Sequence, residues 1–469
     1  MSAALLGHAF GRRYDLPLPL SLFVLGGGLV VLVSFFVVLP RSVGENGETP
    51  ADDVQSLARR RGHGVAMVVS LALLAALLVA GWAGSPEPAE NIVTTFFWLV
   101  IWIAVPVSVG VLGNWTCSLN PFRTLAMLGD SQRLRQAVLG AQQPTAWPAA
   151  WAWWPAVAVF VVVASGELIF NSVATLPAVT ATGLAVYAVM SAAAGLVFGA
   201  EQWLARGEML SILFDTWGRL GIFRFGSPGH RGPLGGLNRA FEGSVSRITF
   251  VFLLLVSVSF DGLLATPAWK SAQVHLPVPV RPGTALYPLG LLSGLLLLSG
   301  GAWVLFGGFA RAARSAGRLS LGGLEAVAGL SVSLLPIAFG YLVAHNAEYI
   351  AINGQLLIPL LGNPLGAPGV QLLPPPFRDD YAVNPNLIPS GVIWYAQVAL
   401  IITVHIAAVV LAHRFLRRHA AGARSGRRSE VPWIVVMVGY TMSSLWLLAQ
   451  PLVQESGNVA LRVLSSGQL

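Results

Sequence analysis

Apolar residues fall along this chain in runs of about 20, the length a helix needs to cross the hydrocarbon core of a bilayer. Ten such runs occur, at 20–39, 65–83, 92–112, 151–171, 178–199, 245–264, 284–307, 322–350, 393–414 and 432–451. No polar block between them is long enough to fold by itself, so the pattern predicts one all-α, polytopic membrane domain of ten spans over residues 1–469. The fourth and fifth runs are divided only by a short turn around 174–177. An arginine pair, Arg12 and Arg13, precedes the first run as it would in a signal peptide. That run is long enough to span and no small-residue cleavage site follows it, so it reads as the first span.

Composition agrees, with 55% hydrophobic and 10% charged residues against roughly a quarter charged in soluble domains. The 28 basic residues outnumber the 20 acidic ones, and 21 of the basic residues sit in alternate connections, 40–64, 113–150, 200–244, 308–320 and 414–431. By the positive-inside rule those connections are cytoplasmic and both termini lie outside. The arginine excess is thus a topology signal, and no nucleic-acid partner is expected. Cys117 is the sole cysteine, which excludes an internal disulfide and a cysteine metal cluster.

Two connections carry further pattern. Within the cytoplasmic loop 200–244, the segment 207–226 spaces Met209, Leu213, Trp217 and Leu220 helically, with Glu208, Asp215 and Arg219 elsewhere, which predicts an interfacial amphipathic helix. The outer loop 353–392 holds LLPPPFRDDYAVNPNLIP and cannot be regular helix; it reads as a cap over an outward-facing cavity or as a plain connector. The runs GLVFGA and GLLSGLLLLSGG predict close helix packing.

Polar groups inside the spans are the candidate chemistry, because a charge at the bilayer centre costs about 2.5–3.5 kcal/mol on insertion scales. Glu167 and Asn171 fall on the fourth span, Asp261 on the sixth, and His345 and Glu348 on the eighth, with Gln355 just beyond. Gln397 and His405 fall on the ninth. All belong to the predicted outer or middle depth, and the inner halves are nearly pure Leu, Val, Ala and Gly apart from Glu325 and His413. The pattern predicts an outward-facing cavity between spans four, six, eight and nine.

His345 and Glu348, three apart, share a helix face, and with His405 they form a ligand set suited to zinc or another divalent metal. Such a metal would supply a hydroxide nucleophile, with Asp261 or Glu167 as base. His8 and Asp15, just outside the first span, are placed to close over the site. The same imidazoles also suit interhelical hydrogen bonds, Asp261 suits a helix end, and His413 and His419 suit a solvated or headgroup-facing surface. There is no HExxH, Walker loop or GxSxG with matching partners.

Five stretches, HAFGRRYDLPLPL near the start, SLNPFRTL at 118–125, FDGLLATPAW at 260–269, NGQLLIPL at 353–360 and WYAQVALIITVHIAAVVLAH at 394–413, together give the chain a resemblance. It resembles bacterial multi-pass membrane proteins labelled fenitrothion hydrolase or fenitrothion hydrolase-like. The resemblance implies a hydrolase of organophosphate triesters in the bacterial cytoplasmic membrane, acting on a lipophilic substrate that arrives through the lipid. The positions it picks out are His8, Arg13, Asp15, Asn120, Arg123, Asp261, Gln355, Gln397, His405 and His413. The chain departs from that pattern at Asn346 and Arg414.

Three functions are compatible with these residues: a metal-assisted membrane hydrolase, a transporter for a small solute or metal ion using the same polar cluster, and an assembly partner of a membrane metalloenzyme. The scarcity of polar groups along an inward path favours the first.

Overall fold

The computed structural model describes residues 14–15, 20–38, 64–225, 235–238, 240–449 and 453–454. Among these, eight helices are long and apolar enough to cross a membrane, and two shorter apolar helices accompany them, matching the ten runs. They are α1 (Leu20–Val38), α2 (Gly64–Ala83), α3 (Ile92–Leu112), α4 (Trp154–Leu168), α5 (Pro177–Phe198), α6 (Val245–Ala265), α7 (Tyr287–Gly317), α8 (Gly323–Gly362), α9 (Ser390–His419) and α10 (Ala423–Ala449). The chain is an all-α polytopic membrane protein. Helices α7 and α9 run past their apolar stretches because Arg314, Arg417, Arg418 and His419 occupy their last turns, where cations offset the negative end of the helix dipole. Outside the helices, Tyr14–Asp15 pairs in parallel with Val453–Gln454, joining the chain before α1 to the chain after α10.

Burial ranks the helices. The apolar window of α8 is 83% enclosed by protein and that of α6 61%, against 28% for α2 and α5 and 22% for α7. Helix α8 is therefore the centre of the bundle, with α6 and α9 packed on it, and α2, α5 and α7 present long apolar faces outward.

The central helix is broken. Gly323–Ser331 is α-helical, Val332–Leu334 is a 3-10 turn, and Leu335–Asn353 resumes the α-helix. Pro336 explains the break, since its missing N–H and its ring disfavour a regular helix through the preceding turn. Ser331 and Ser333 bend their hydroxyls back to the carbonyls of Ala328 and Leu330 at the same place. Helix α3 is irregular too, widening into a π-helix over Phe96–Ala104 just before Pro106.

Glycine placement separates the two small-residue runs. A Cβ on Gly195 of GLVFGA would collide with the Ala126 carbonyl, and one on Gly129 with that of Ala192, so α5 and the short helix Pro121–Gly129 approach to backbone contact. In GLLSGLLLLSGG, by contrast, Gly300 and Gly301 have open space beside them among the described residues, so the predicted close packing does not extend to them.

The segment 207–226 departs from the interfacial helix expected of it. It forms the helix Met209–Gly218, in which Met209, Leu210, Ile212, Leu213, Phe214 and Trp217 are all buried against α3 and α4. Apolar residues on every side, not on one stripe, account for this: such a helix buries itself in the bundle. The loop 353–392 starts with the short helix Leu357–Gly362 and then runs irregularly, tied to the α2–α3 turn through the carbonyls of Pro364 and Leu365.

Candidate functional site

The break in α8 lies between two cavities. On one side, a cavity of about 50 Å³ is lined by Glu167 of α4, Asp261 of α6, and His345 and Asn346 of α8. Its walls are apolar, formed by Trp102, Ile103, Pro106, Phe160, Trp217 and Leu254. At about 10–15 Å³ per water it holds a few water molecules and no more.

Within it, His345 Nε2 lies 2.6 Å from Asp261 Oδ2, a hydrogen bond across two helices. The Tyr341 ring, one turn away on α8, stacks on the imidazole at 6.2 Å with the planes 14° apart, fixing its orientation. Glu167 accepts from the indole of Trp102 at 2.5 Å, and Asn346 anchors its amide on the Leu342 carbonyl at 2.9 Å. Two carboxyls and an imidazole in a small apolar chamber form a set that can take up, hold and pass a proton.

The expected convergence of spans four, six and eight is thus present, and that of span nine is not. His405 of α9 is fully buried away from this cavity; its Nδ1 meets the Ile401 carbonyl at 2.8 Å and its ring faces Tyr440 at 6.4 Å. Glu348 is buried one turn beyond His345, outside the cavity lining. No three of the described His, Cys, Asp and Glu side chains gather as a metal site would require, so His345, Glu348 and His405 do not fit a shared divalent ion. The reason is largely depth: α9 meets Ala344 through Gln397 and Gly340 through Val404, so the neighbouring His405 lies about one turn along α8 from His345, an offset between helices that the sequence does not set.

Those of the remaining predicted residues whose side chains are described have structural partners. Gln355 accepts from Asn384 N at 2.9 Å and donates to the Asn384 and Ala351 carbonyls at 3.0 and 2.9 Å, clamping the outer loop onto the end of α8. Gln397 donates to the Ala344 carbonyl at 2.7 Å and ties α9 to α8. Asp15 has only its backbone described, and His8 lies outside the described residues. Asn120 caps the helix Pro121–Gly129, accepting from Phe122 N and Arg123 N, and donates to Glu208 at 3.0 Å. Glu208 is fully buried, caps Met209–Gly218 and also receives the Tyr187 hydroxyl. His413 is not solvated as expected: it is buried 3.0 Å from Glu430, which also lies 3.4 Å from Arg417.

On the other side of the break is a feature the sequence reading passed over, a cavity of about 660 Å³ among the starts of α6 and α8 and the end of α9. Arg219, Arg247, Arg414, Arg418 and His419 line it, together with Asp215, Glu242 and Glu325. Ser333 and Val332 of the α8 break form part of its roof. Arg247 lines this cavity and Leu254 the smaller one, seven residues apart on α6, which is about 10 Å of helix. Between them pack Ile248, Phe250, Val251, Phe252, Leu334, Leu335 and Ile337, all buried. The helix Met209–Gly218 wedges into the same partition, giving Trp217 to the small cavity and Asp215 to the large one.

Fold and site thus define a polytopic helical membrane protein with a buried acid–imidazole chamber and an arginine-lined vestibule in line along its central helix. No family model, curated protein or solved structure matches the chain.

Proposed function

We propose that the protein moves a small solute across the bacterial cytoplasmic membrane, with proton transfer at Asp261, His345 and Glu167 coupled to the movement. The observation that carries this reading is the pair of cavities stacked along α6 and α8 and separated by about 10 Å of packed side chains at a helix break. A wide vestibule on the arginine-rich side and a small chamber on the other support an alternating-access reading, and broken helices at mid-depth are where transporters place their binding groups. The arginine placement supports a vestibule that opens to the cytoplasm.

A hydrolase is the second reading, favoured by the His345–Asp261 contact, which resembles a general base oriented by a carboxylate. Its weakness is volume, because a lipophilic triester needs a pocket of several hundred Å³ and the chamber offers about 50 Å³. Both readings meet one test. Reconstituted vesicles carrying an internal pH dye receive a panel of small anions and, separately, a nitrophenyl phosphotriester. Solute-driven acidification of the lumen, lost in Asp261→Asn, supports transport. Nitrophenolate release without any such flux would replace transport by hydrolysis.

A further inference from the structure

The vestibule holds cationic hydrogen-bond donors that have no partner among the described residues. Arg247 is buried in the first turn of α6; its Nη2 donates to Thr216 Oγ1 at 2.8 Å, and the guanidinium carbon lies 4.5 Å from the Trp153 ring, 4.8 Å from Phe241 and 5.7 Å from Phe250. Among the described residues its buried Nη1 has no hydrogen-bond partner, and neither has the buried Nε of Arg414 on the wall formed by α9. A buried N–H on a charged group is costly to leave unmade, and three aromatic rings fix the position of the Arg247 fork. Two of the three acids in the cavity already have donors. Glu242 accepts from Trp153 Nε1 at 3.2 Å and Glu325 from Gly322 N at 2.8 Å. The third, Asp215, acts on Arg247 at a distance together with Glu242, and Arg219 opposes them.

We propose that this vestibule binds a phosphoryl oxyanion, with Arg247 and Arg414 as the two donors that hold it. A tetrahedral oxyanion presents several acceptor oxygens to guanidinium forks from different walls, the geometry that favours arginine over lysine. The proposal names the substrate class of the transport reading and rests on that reading for movement, not for binding. A free phosphate and the headgroup of an anionic lipid share this chemistry, and the cavity is wide enough for either.

The test uses the full-length protein in detergent. Binding of radiolabelled inorganic phosphate is measured to saturation, and intact-complex mass spectrometry reads any retained phosphatidylglycerol. Saturable phosphate binding that weakens about tenfold or more in Arg247→Gln and in Arg414→Gln supports a free-phosphate site. Stoichiometric phosphatidylglycerol lost from the same variants supports a headgroup site. Thermal unfolding checks each variant, and should Arg247→Gln not fold, Arg414→Gln alone decides, with Arg414→Lys expected to recover part of the binding. Wild-type protein that takes neither ligand, or variants that bind as well as wild type, overturns the proposal. Anion-linked flux in vesicles is a separate readout, so loss of binding and loss of transport are told apart.

Discussion

At the Asp261–His345 end of the bundle, charged groups face one another across about 50 Å³; at the arginine end they face aromatic rings and a space of about 660 Å³. In the small chamber the titratable groups meet partners, the imidazole a carboxylate and the second carboxylate an indole, while the Asn346 side-chain oxygen has none among the described residues. In the vestibule Arg418 donates to the Asn238 carbonyl and Arg247 to one hydroxyl beside π faces, but Arg247 and Arg414 each keep one N–H without a partner among the described residues. An acid–imidazole pair bonded to each other suits a proton, which needs only a small change in hydrogen bonding. A partly satisfied set of donors suits a ligand that brings acceptors with it.

The largest expected effect lies where the arginine end does pair its charges. Glu430 is buried between His413 and Arg417, and Glu430→Ala leaves Arg417 and the His413 ring without their carboxylate. A loss of about 3–5 kcal/mol is expected, read by denaturant titration in mixed micelles. A change under 1 kcal/mol would mean that water or lipid already compensates these groups, and the contrast between the two ends would weaken.

Asp261→Asn comes next. The amide keeps the size and can still bond to His345, so stability falls by only about 1–2 kcal/mol. Proton-linked flux should fall to the level of protein-free vesicles, because an amide cannot carry the proton. Flux close to wild type would remove the chamber from the transport path and leave the vestibule as a binding site alone.

The sequence made one end of the molecule readable and concealed the other. Ten apolar runs are a strong signal because hydrocarbon tolerates only helices whose backbone groups bond internally, and the helices fall on those runs. Glu167, Asp261 and His345 stood out because they are costly in lipid, and they do share a cavity. Trp102 and Trp217 did not, since an indole in FFWLVIWIA or LFDTW is just one more apolar side chain until a neighbour's carboxylate is known. Arg247 is hidden differently. Arginines near span ends are read as loop charge, yet this one lies inside the first turn of α6 and belongs to no loop, a position that was itself a clue. His405 shows the remaining limit, because the offset of one helix along its neighbour, like its rotation, is decided by packing and cannot be counted from sequence.

The smallest and most discriminating effects come from two acids that share one contact. Glu167 accepts from Trp102 in the chamber, and Glu242 accepts from Trp153 in the vestibule. Replacing either by Gln keeps an acceptor oxygen for the indole and removes the charge, so both variants should fold and melt nearly as wild type does. Their functions should divide. Glu242 lies near enough to Arg247 to act on its charge, so Glu242→Gln should tighten phosphate binding about twofold, the scale of a weakly coupled charge in a hydrated cavity. Glu167→Gln should leave phosphate binding unchanged and slow proton-linked flux, because the partition between the cavities separates that carboxylate from the arginines. If Glu167→Gln alters phosphate affinity as much as Glu242→Gln does, the two cavities are electrostatically one, and the division between a proton chamber and an anion vestibule fails.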